Sequence, residues 1–132
     1  LSDASGTLVG VLPHYLKHHS YGEYIFDHSW ANAYAQAGGA YYPKSLSAVP
    51  FTPATGPRLL TDSDDPAVKT TMARGLVSLV DQHQLSSAHI NFLPADDARL
   101  LADAGWLIRS GTQFHWHNHG YEDFDGFLQN LS

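Results

Sequence analysis

Residues 65–93, DPAVKTTMARGLVSLVDQHQLSSAHINFL, carry the pattern that decides the fold. Asp65 is a good helix N-cap, and Pro66 suits the first helical position because its missing N–H has no partner there anyway. Apolar side chains then recur on one helical face, at Val68, Met72, Leu76, Leu79 and Val80. The pattern predicts a helix over residues 65–83, followed by a short strand over residues 88–93.

The sequence on the C-terminal side continues this alternation. We expect a second amphipathic helix over residues 95–104, closed by Gly105. Residues 106–118 indicate a strand pair or one long strand, broken near Ser110-Gly111. A last helix is expected from apolar residues at helical spacing, namely Phe124, Phe127, Leu128 and Leu131.

The N-terminal side adds further strand and helix signals. Residues 7–17 predict a strand interrupted near Pro13. A helix should begin near residue 29 or 30, after Asp27 or Ser29 as a cap, and end at Ala37 before Gly38-Gly39. Residues 44–51 predict a strand, and residues 52–64 a long structured loop. The resulting order favours an α/β fold in which helices flank a mixed sheet.

Composition limits the possible functions. The 132 residues suffice for one core, and seven Lys and Arg residues against a net charge of −6 argue against nucleic-acid binding by this segment alone. The chain has no cysteine, and no apolar run approaches the roughly 20 residues of a membrane span. We therefore expect a cytoplasmic protein. Since Leu1 is not a natural initiator, we also expect the chain to begin inside a longer protein.

Three histidines alternate in the stretch FHWHNHG, residues 114–120. In a strand, His115, His117 and His119 would share one face, where they could bind a metal or serve a polar ligand site. With Gly111 and Glu122, this stretch loosely resembles the first metal motif of the cupins, but the glutamate comes one or two residues too early and no second motif follows. We therefore expect no metal, and keep a cupin-like metal enzyme as a third interpretation.

Three blocks of sequence together resemble one known family. They are LVGVLPHYLKHHSYGEYIFDHSWANAYAQAGGAYYPK (residues 8–44), VPFTPATGPRLL (residues 49–60) and TQFHWHNHGYEDFDGFL (residues 112–128). These blocks look like the signature of the FemAB-like proteins of bacterial peptidoglycan biosynthesis, which are related to the GNAT (acyl-CoA N-acyltransferase) fold. The resemblance covers most of the chain, in order.

The resemblance implies a partial GNAT-like domain over residues 1–132, excerpted from the first half of a longer protein with two halves. It implies transfer of an acyl or aminoacyl group to an amine, from acyl-CoA or aminoacyl-tRNA in the parent protein. The alternative is a non-catalytic module that binds a ligand or partner. A coenzyme-A pyrophosphate would be repelled by Asp62, Asp64 and Asp65, which lie where a GNAT helix binds it.

The candidate site residues come from three segments. Glu23, in the polar loop of residues 20–24, is a candidate general base, although the loop could be a simple turn. His115 and His117 are candidates for proton transfer, or for a hydrogen-bonded structural role. The candidate substrate-binding residues are Thr52, Thr55, Gly56, Arg58 and Gln113. Arg58 could pair with a carboxylate or phosphate, or form a structural salt bridge instead.

The C-terminal apolar stripe bears on assembly. A helix that presents Phe127 and Leu128 needs a partner surface, and an incomplete sheet leaves an open edge. We therefore expect a homodimer, or contact with another part of a longer chain, besides a small-molecule or acyl-donor substrate.

Overall fold

The computed structural model describes residues 1–63 and 65–131 as a mixed α/β fold. In these residues the strands are β1 (Gly10–Val11), β2 (Tyr15–Lys17), β3 (Lys44–Ser47), β4 (Leu60–Thr61) and β5 (Ala88–Ile90). The helices are α1 (His28–Gln36), α2 (Pro66–Gln82), α3 (Ala95–Asp103) and α4 (Phe124–Gln129). The predicted α/β class is therefore confirmed, and an all-β jelly roll, which the cupin interpretation requires, is not what this sequence forms.

The strands form two small sheets. β3 lies at the centre of the larger sheet, antiparallel to β2 and parallel to β5. Parallel neighbours need a long crossover, and α2 provides it between β3 and β5. β1 and β4 pair antiparallel in the smaller sheet.

Helix α2 forms as the sequence predicts. The Asp65 carboxylate accepts a hydrogen bond from the backbone N–H of Ala67 at 2.8 Å, and Pro66 begins the helix. Its buried face carries Met72, Ala73 and Leu76. Asp64 lies outside the described residues.

The core lies between α2, α3 and the smaller sheet. Its buried centre contains Leu59, Met72, Ala73 and Leu101, against which Val68, Ile90 and Trp106 pack, among others. Leu59 explains one wrong prediction, because its burial draws the end of the expected loop 52–64 onto the core, where the next residues form β4 with β1.

Residues 106–118 do not form the predicted strand. No part of that range is paired with a strand in the described structure, and the side chains of Leu107 and Phe114 are each 98% exposed. Alternating sequence is only half of what a strand needs, because its N–H and C=O groups must also find a neighbouring backbone. The prediction that α2 packs on a sheet containing both β5 and residues 113–117 is therefore right for β5 and wrong for the histidines.

Candidate active site

Lys44, the first residue of β3, has a completely buried side chain at 0% exposure. Its ammonium nitrogen Nζ lies 2.8 Å from Glu23 Oε2, 2.8 Å from Asp27 Oδ2 and 2.9 Å from Ser20 Oγ. An ammonium has three N–H donors, so all of them are used. Lys44 is therefore a fixed cation that joins two acidic side chains.

The strand register explains how these residues meet. Lys17, at the end of β2, lies opposite Lys44 in the antiparallel pair. The chain leaves β2 and turns back over Lys44, with the N–H of Glu23 donating to the carbonyl of Ser20 at 3.4 Å. Asp27 then precedes α1. The polar loop of residues 20–24 is thus folded over the sheet and contributes two of the three acceptors of Lys44.

Two tyrosines complete the group, which we call the Lys44 cluster: Ser20, Glu23, Asp27, Tyr41, Tyr42 and Lys44. The Tyr41 hydroxyl donates to Asp27 Oδ2 at 2.7 Å, and the Tyr42 hydroxyl lies 2.7 Å from Ser20 Oγ. Lys44 Nζ also lies 5.3 Å and 5.7 Å from the centroids of the two rings. Both distances are within the range of a cation–π interaction, which stabilises a buried ammonium.

The cluster carries more negative than positive charge. Burial acts to raise the pKa of Asp27, but the hydrogen bonds to Lys44 and Tyr41 outweigh it and lower that pKa to about 2. Burial and the bond to Asp27 raise the pKa of Tyr41, so its hydroxyl stays a donor. Within the cluster one lysine thus faces two carboxylates, while Lys17, just outside it, lies 4.0 Å from Glu23 Oε1 and balances the remaining negative charge.

A cavity of about 440 Å³ opens next to the cluster. Its walls are mostly apolar, with Leu16, Leu46, Val49 and Phe51, while Glu23 contributes a carboxylate. The second oxygen of Glu23, Oε1, is buried, accepts no hydrogen bond from the described residues, and forms a long ion pair with Lys17 at 4.0 Å. Glu23 therefore has one oxygen fixed by Lys44 and a second, buried oxygen whose hydrogen-bonding capacity is unused by the described residues.

His89 in β5 lies beside the cluster. Its ring centroid is 6.0 Å from that of Tyr41, and its Nε2 is 2.9 Å from Ser87 Oγ. Burial, reinforced by the positive charge of Lys44, lowers the pKa of His89 to about 4. The imidazole is therefore neutral near pH 7.

The predicted loop residues lie away from Glu23's hydrogen bonds. Thr52 and Thr55 are exposed, while Arg58 is buried and donates to the carbonyls of Ala54, Gly56 and Pro57 in its own loop. Those contacts give Arg58 a part in shaping the loop. Its Nε is buried without a partner in the described residues, and burial lowers the pKa of its guanidinium.

Gln113 connects the loop that contains Pro53 with the exposed histidines. We call residues 113–119 the histidine segment. Its Nε2 donates to the Pro53 carbonyl at 2.7 Å, and its Oε1 lies 3.1 Å from His115 Nε2. The rings of His115 and His117 stack with centroids 6.4 Å apart. The structure therefore brings Gln113, His115 and His117 together beside the loop that contains Pro53. None of the hydrogen bonds or ion pairs of Glu23 in the described residues reaches these side chains.

Sequence reasoning identified Glu23 but not its partners. Asp27 had been assigned only a capping role, and its side chain makes no capping hydrogen bond in the structure. No site role was predicted for Tyr41 or Tyr42, and Lys44 was predicted only as the first residue of the strand over residues 44–51. The sequence signal that could have identified Lys44 was its position at the start of a predicted strand, in a chain with only seven Lys and Arg residues.

Neither a metal site nor a spanning helix is found in the described residues. Across residues 1–63 and 65–131, no three His, Asp or Glu side chains come together as possible metal ligands. Among the helices described, none has the length and apolar character needed to cross a membrane.

Comparison with known protein families decides the family. A family model, FemAB-like, described as peptidoglycan biosynthesis/recognition, matches residues 1–132. The chain belongs to the FemAB-like family. The resemblance noted from the three sequence blocks is thereby confirmed, whereas the GNAT-like detail and the excerpt of a two-half protein stay predictions. No curated protein and no solved structure gives a significant match.

Proposed function

We propose that this FemAB-like chain contributes the amine-binding part of an N-acyltransferase or aminoacyltransferase. The observation that carries the proposal is Glu23, a buried carboxylate that lines a 440 Å³ cavity and whose Oε1 accepts no hydrogen bond from the described residues. A family described by peptidoglycan biosynthesis/recognition supports the same assignment, because amines of peptides are natural acceptors for acyl transfer.

The proposed step is direct attack by the amine. The bound ammonium first releases one proton to solvent, and the neutral amine nitrogen then forms a bond to the ester or thioester carbonyl carbon while the carbon–oxygen or carbon–sulfur bond breaks. The Glu23 carboxylate accepts the second proton that the nitrogen loses, and that proton then goes to the departing alkoxide or thiolate. Glu23 Oε2 keeps its hydrogen bond to Lys44 throughout.

The cavity suits an amine on an apolar or peptide chain. Its size lies within the range of small-molecule sites, which is roughly 300–1,000 Å³. Leu16, Val49 and Phe51 give the cavity apolar walls beside the carboxylate, which suit the apolar part of such a ligand.

The donor is proposed to be acyl-CoA or aminoacyl-tRNA, bound by other parts of the protein, which places the reaction in the cytoplasm. Thr52, Thr55, Gly56, Arg58 and Gln113 stay predicted substrate contacts. Proton transfer by His115 and His117 stays a prediction from the sequence alone, and the proposed step does not use it because both rings lie on an exposed segment. A homodimer, or contact with further chain, also stays a prediction.

A transfer assay tests the proposal. The protein is incubated with acetyl-CoA or mixed aminoacyl-tRNAs and with a peptidoglycan stem peptide bearing a free side-chain amine, and products are detected by mass. We expect acylated peptide from the wild type, and a loss of about 10²–10⁴-fold for Glu23→Gln. Peptide binding that needs Glu23, without any transfer, would instead support the non-catalytic binding module.

A further inference from the structure

Lys44 touches the proposed base but not the cavity. The residues that line the cavity include Glu23 and Lys17, whereas Lys44 is completely buried behind them. Its three donors are committed to Ser20, Glu23 and Asp27, so it has none left for a substrate. Any role of Lys44 in the reaction must therefore act through Glu23.

We propose that Lys44 is a positioning residue, which holds Glu23 Oε2 and so fixes the Glu23 carboxylate beside the cavity. This inference rests on the proposed function of Glu23. A glutamate has three rotatable side-chain bonds, and a free one would spread over many rotamers. The 2.8 Å bond from Lys44 selects one of them, at a residue whose side chain is only 1% exposed.

Asp27 and Ser20 fix the ammonium in turn. Asp27 accepts from both Lys44 and Tyr41, and Ser20 links Lys44 to Tyr42. Because the ammonium is bonded to Asp27 and Ser20 as well as to Glu23, it is held at three points and cannot follow a movement of Glu23.

The test separates positioning from folding. Lys44→Met leaves two buried carboxylates without the cation that they share, so we expect the single variant to be strongly destabilised. The Lys44→Met/Asp27→Asn double variant removes one carboxylate together with the lysine and leaves Glu23 in place. We expect a melting temperature nearer to that of the wild type, with kcat still about 10²-fold lower and KM for the peptide within about threefold.

A milder variant covers the case in which neither lysine variant folds. Ser20→Ala removes one acceptor of the ammonium without changing any charge, and we expect kcat to fall about tenfold through loss of a hydrogen bond to a charged group. Lys69→Met is the control, since Lys69 pairs with Asp97 elsewhere and its replacement should leave transfer unchanged. Full kcat in folded Lys44→Met/Asp27→Asn, or in Ser20→Ala, would overturn the positioning role.

A binding arm distinguishes this inference from the proposed function. If the wild type transfers no acyl group, the proposed function fails, and n-butylammonium binding is measured by NMR at Gly22 and Val49. Positioning then predicts wild-type binding that weakens about tenfold or more in Ser20→Ala and in Glu23→Gln. Equal affinities in the wild type and Ser20→Ala, or no butylammonium binding at all, would contradict it.

Discussion

The Lys44 cluster and the histidine segment both bring several titratable side chains together, but in opposite environments. Lys44, Glu23 and Asp27 have side chains no more than 1% exposed and are joined by bonds of 2.8 Å. His115 and His117 are exposed, and only their mutual stacking and the contact with Gln113 orient them. Burial with partners is what fixes a charge in place, and only the Lys44 cluster has both.

The largest expected difference concerns stability. Lys44→Met removes the cation that bridges the two buried carboxylates, and we expect a loss of about 3–5 kcal/mol in the free energy of unfolding. Urea denaturation at pH 7 measures it. The matched control is Arg99→Met, whose ion pair with Asp96 is largely exposed and should contribute much less. Equal losses for the two variants would mean that the cluster is no more important than a surface pair.

The second difference is in pH dependence. His89 binds a proton with a pKa of about 4 in the folded protein, against an ordinary value of 6.5. Below pH 6.5 the unfolded chain therefore takes up a proton that the folded protein excludes, and stability falls as the pH drops from 6.5 to 4, by up to about 3 kcal/mol. Asp27, whose pKa is lowered to about 2, adds a further loss only below about pH 4.

The His89→Gln variant isolates that contribution. We expect its free energy of unfolding to vary less between pH 6.5 and pH 4 than that of the wild type, because one protonation difference is removed. Urea melts at several pH values give both curves. Parallel curves over this window would show that His89 does not govern the pH dependence.

A smaller effect is expected at the edge of the cavity. Gly22 has a φ of +78°, and a Cβ there would lie 2.5 Å from the Phe51 ring. Gly38 has a similar φ of +83° but open space around it, so Gly38→Ala measures the backbone strain alone, at about 1 kcal/mol. We expect Gly22→Ala to cost about 2–3 kcal/mol and to weaken ligand binding. If the two variants cost the same, Phe51 does not pack against Gly22.

The smallest effect is expected in the histidine segment. His115→Ala and His117→Ala remove exposed rings, so the free energy of unfolding should change by less than about 0.5 kcal/mol. Chemical denaturation at pH 7 is sufficient to check this. A loss above about 1 kcal/mol would mean that the segment packs against the rest of the protein more closely than the structure shows.

Helices were easier to predict than strand pairing. The cap at Asp65, Pro66 and the apolar repeat are local features, and they placed α2 within one residue of its observed ends. Residues 106–118 also alternate locally, but a strand requires a second backbone, and that requirement is not written in the alternating segment itself. The sequence analysis missed β4 because the local sequence of residues 60–61 does not indicate a strand. These residues pair with β1 because the burial of Leu59 places them beside it.

Of the residues in the Lys44 cluster, only Glu23 was predicted from the sequence as a site residue. Glu23 stood out because a glutamate within an aromatic loop is unusual. Lys44 is 21 residues away in sequence from Glu23, and only the β2–β3 register brings the two together. Long-range ion pairs of this kind depend on tertiary packing, so neither residue alone predicts the other.

The most direct test of the central claim compares the two regions in one transfer assay. Glu23→Gln and the His115→Gln/His117→Gln double variant are measured beside the wild type, with the same donors and stem peptide. We predict that Glu23→Gln lowers kcat/KM by about 10²-fold or more, whereas the double histidine variant stays within about threefold of the wild type. Loss of transfer in the histidine variant, with full activity in Glu23→Gln, would contradict the account.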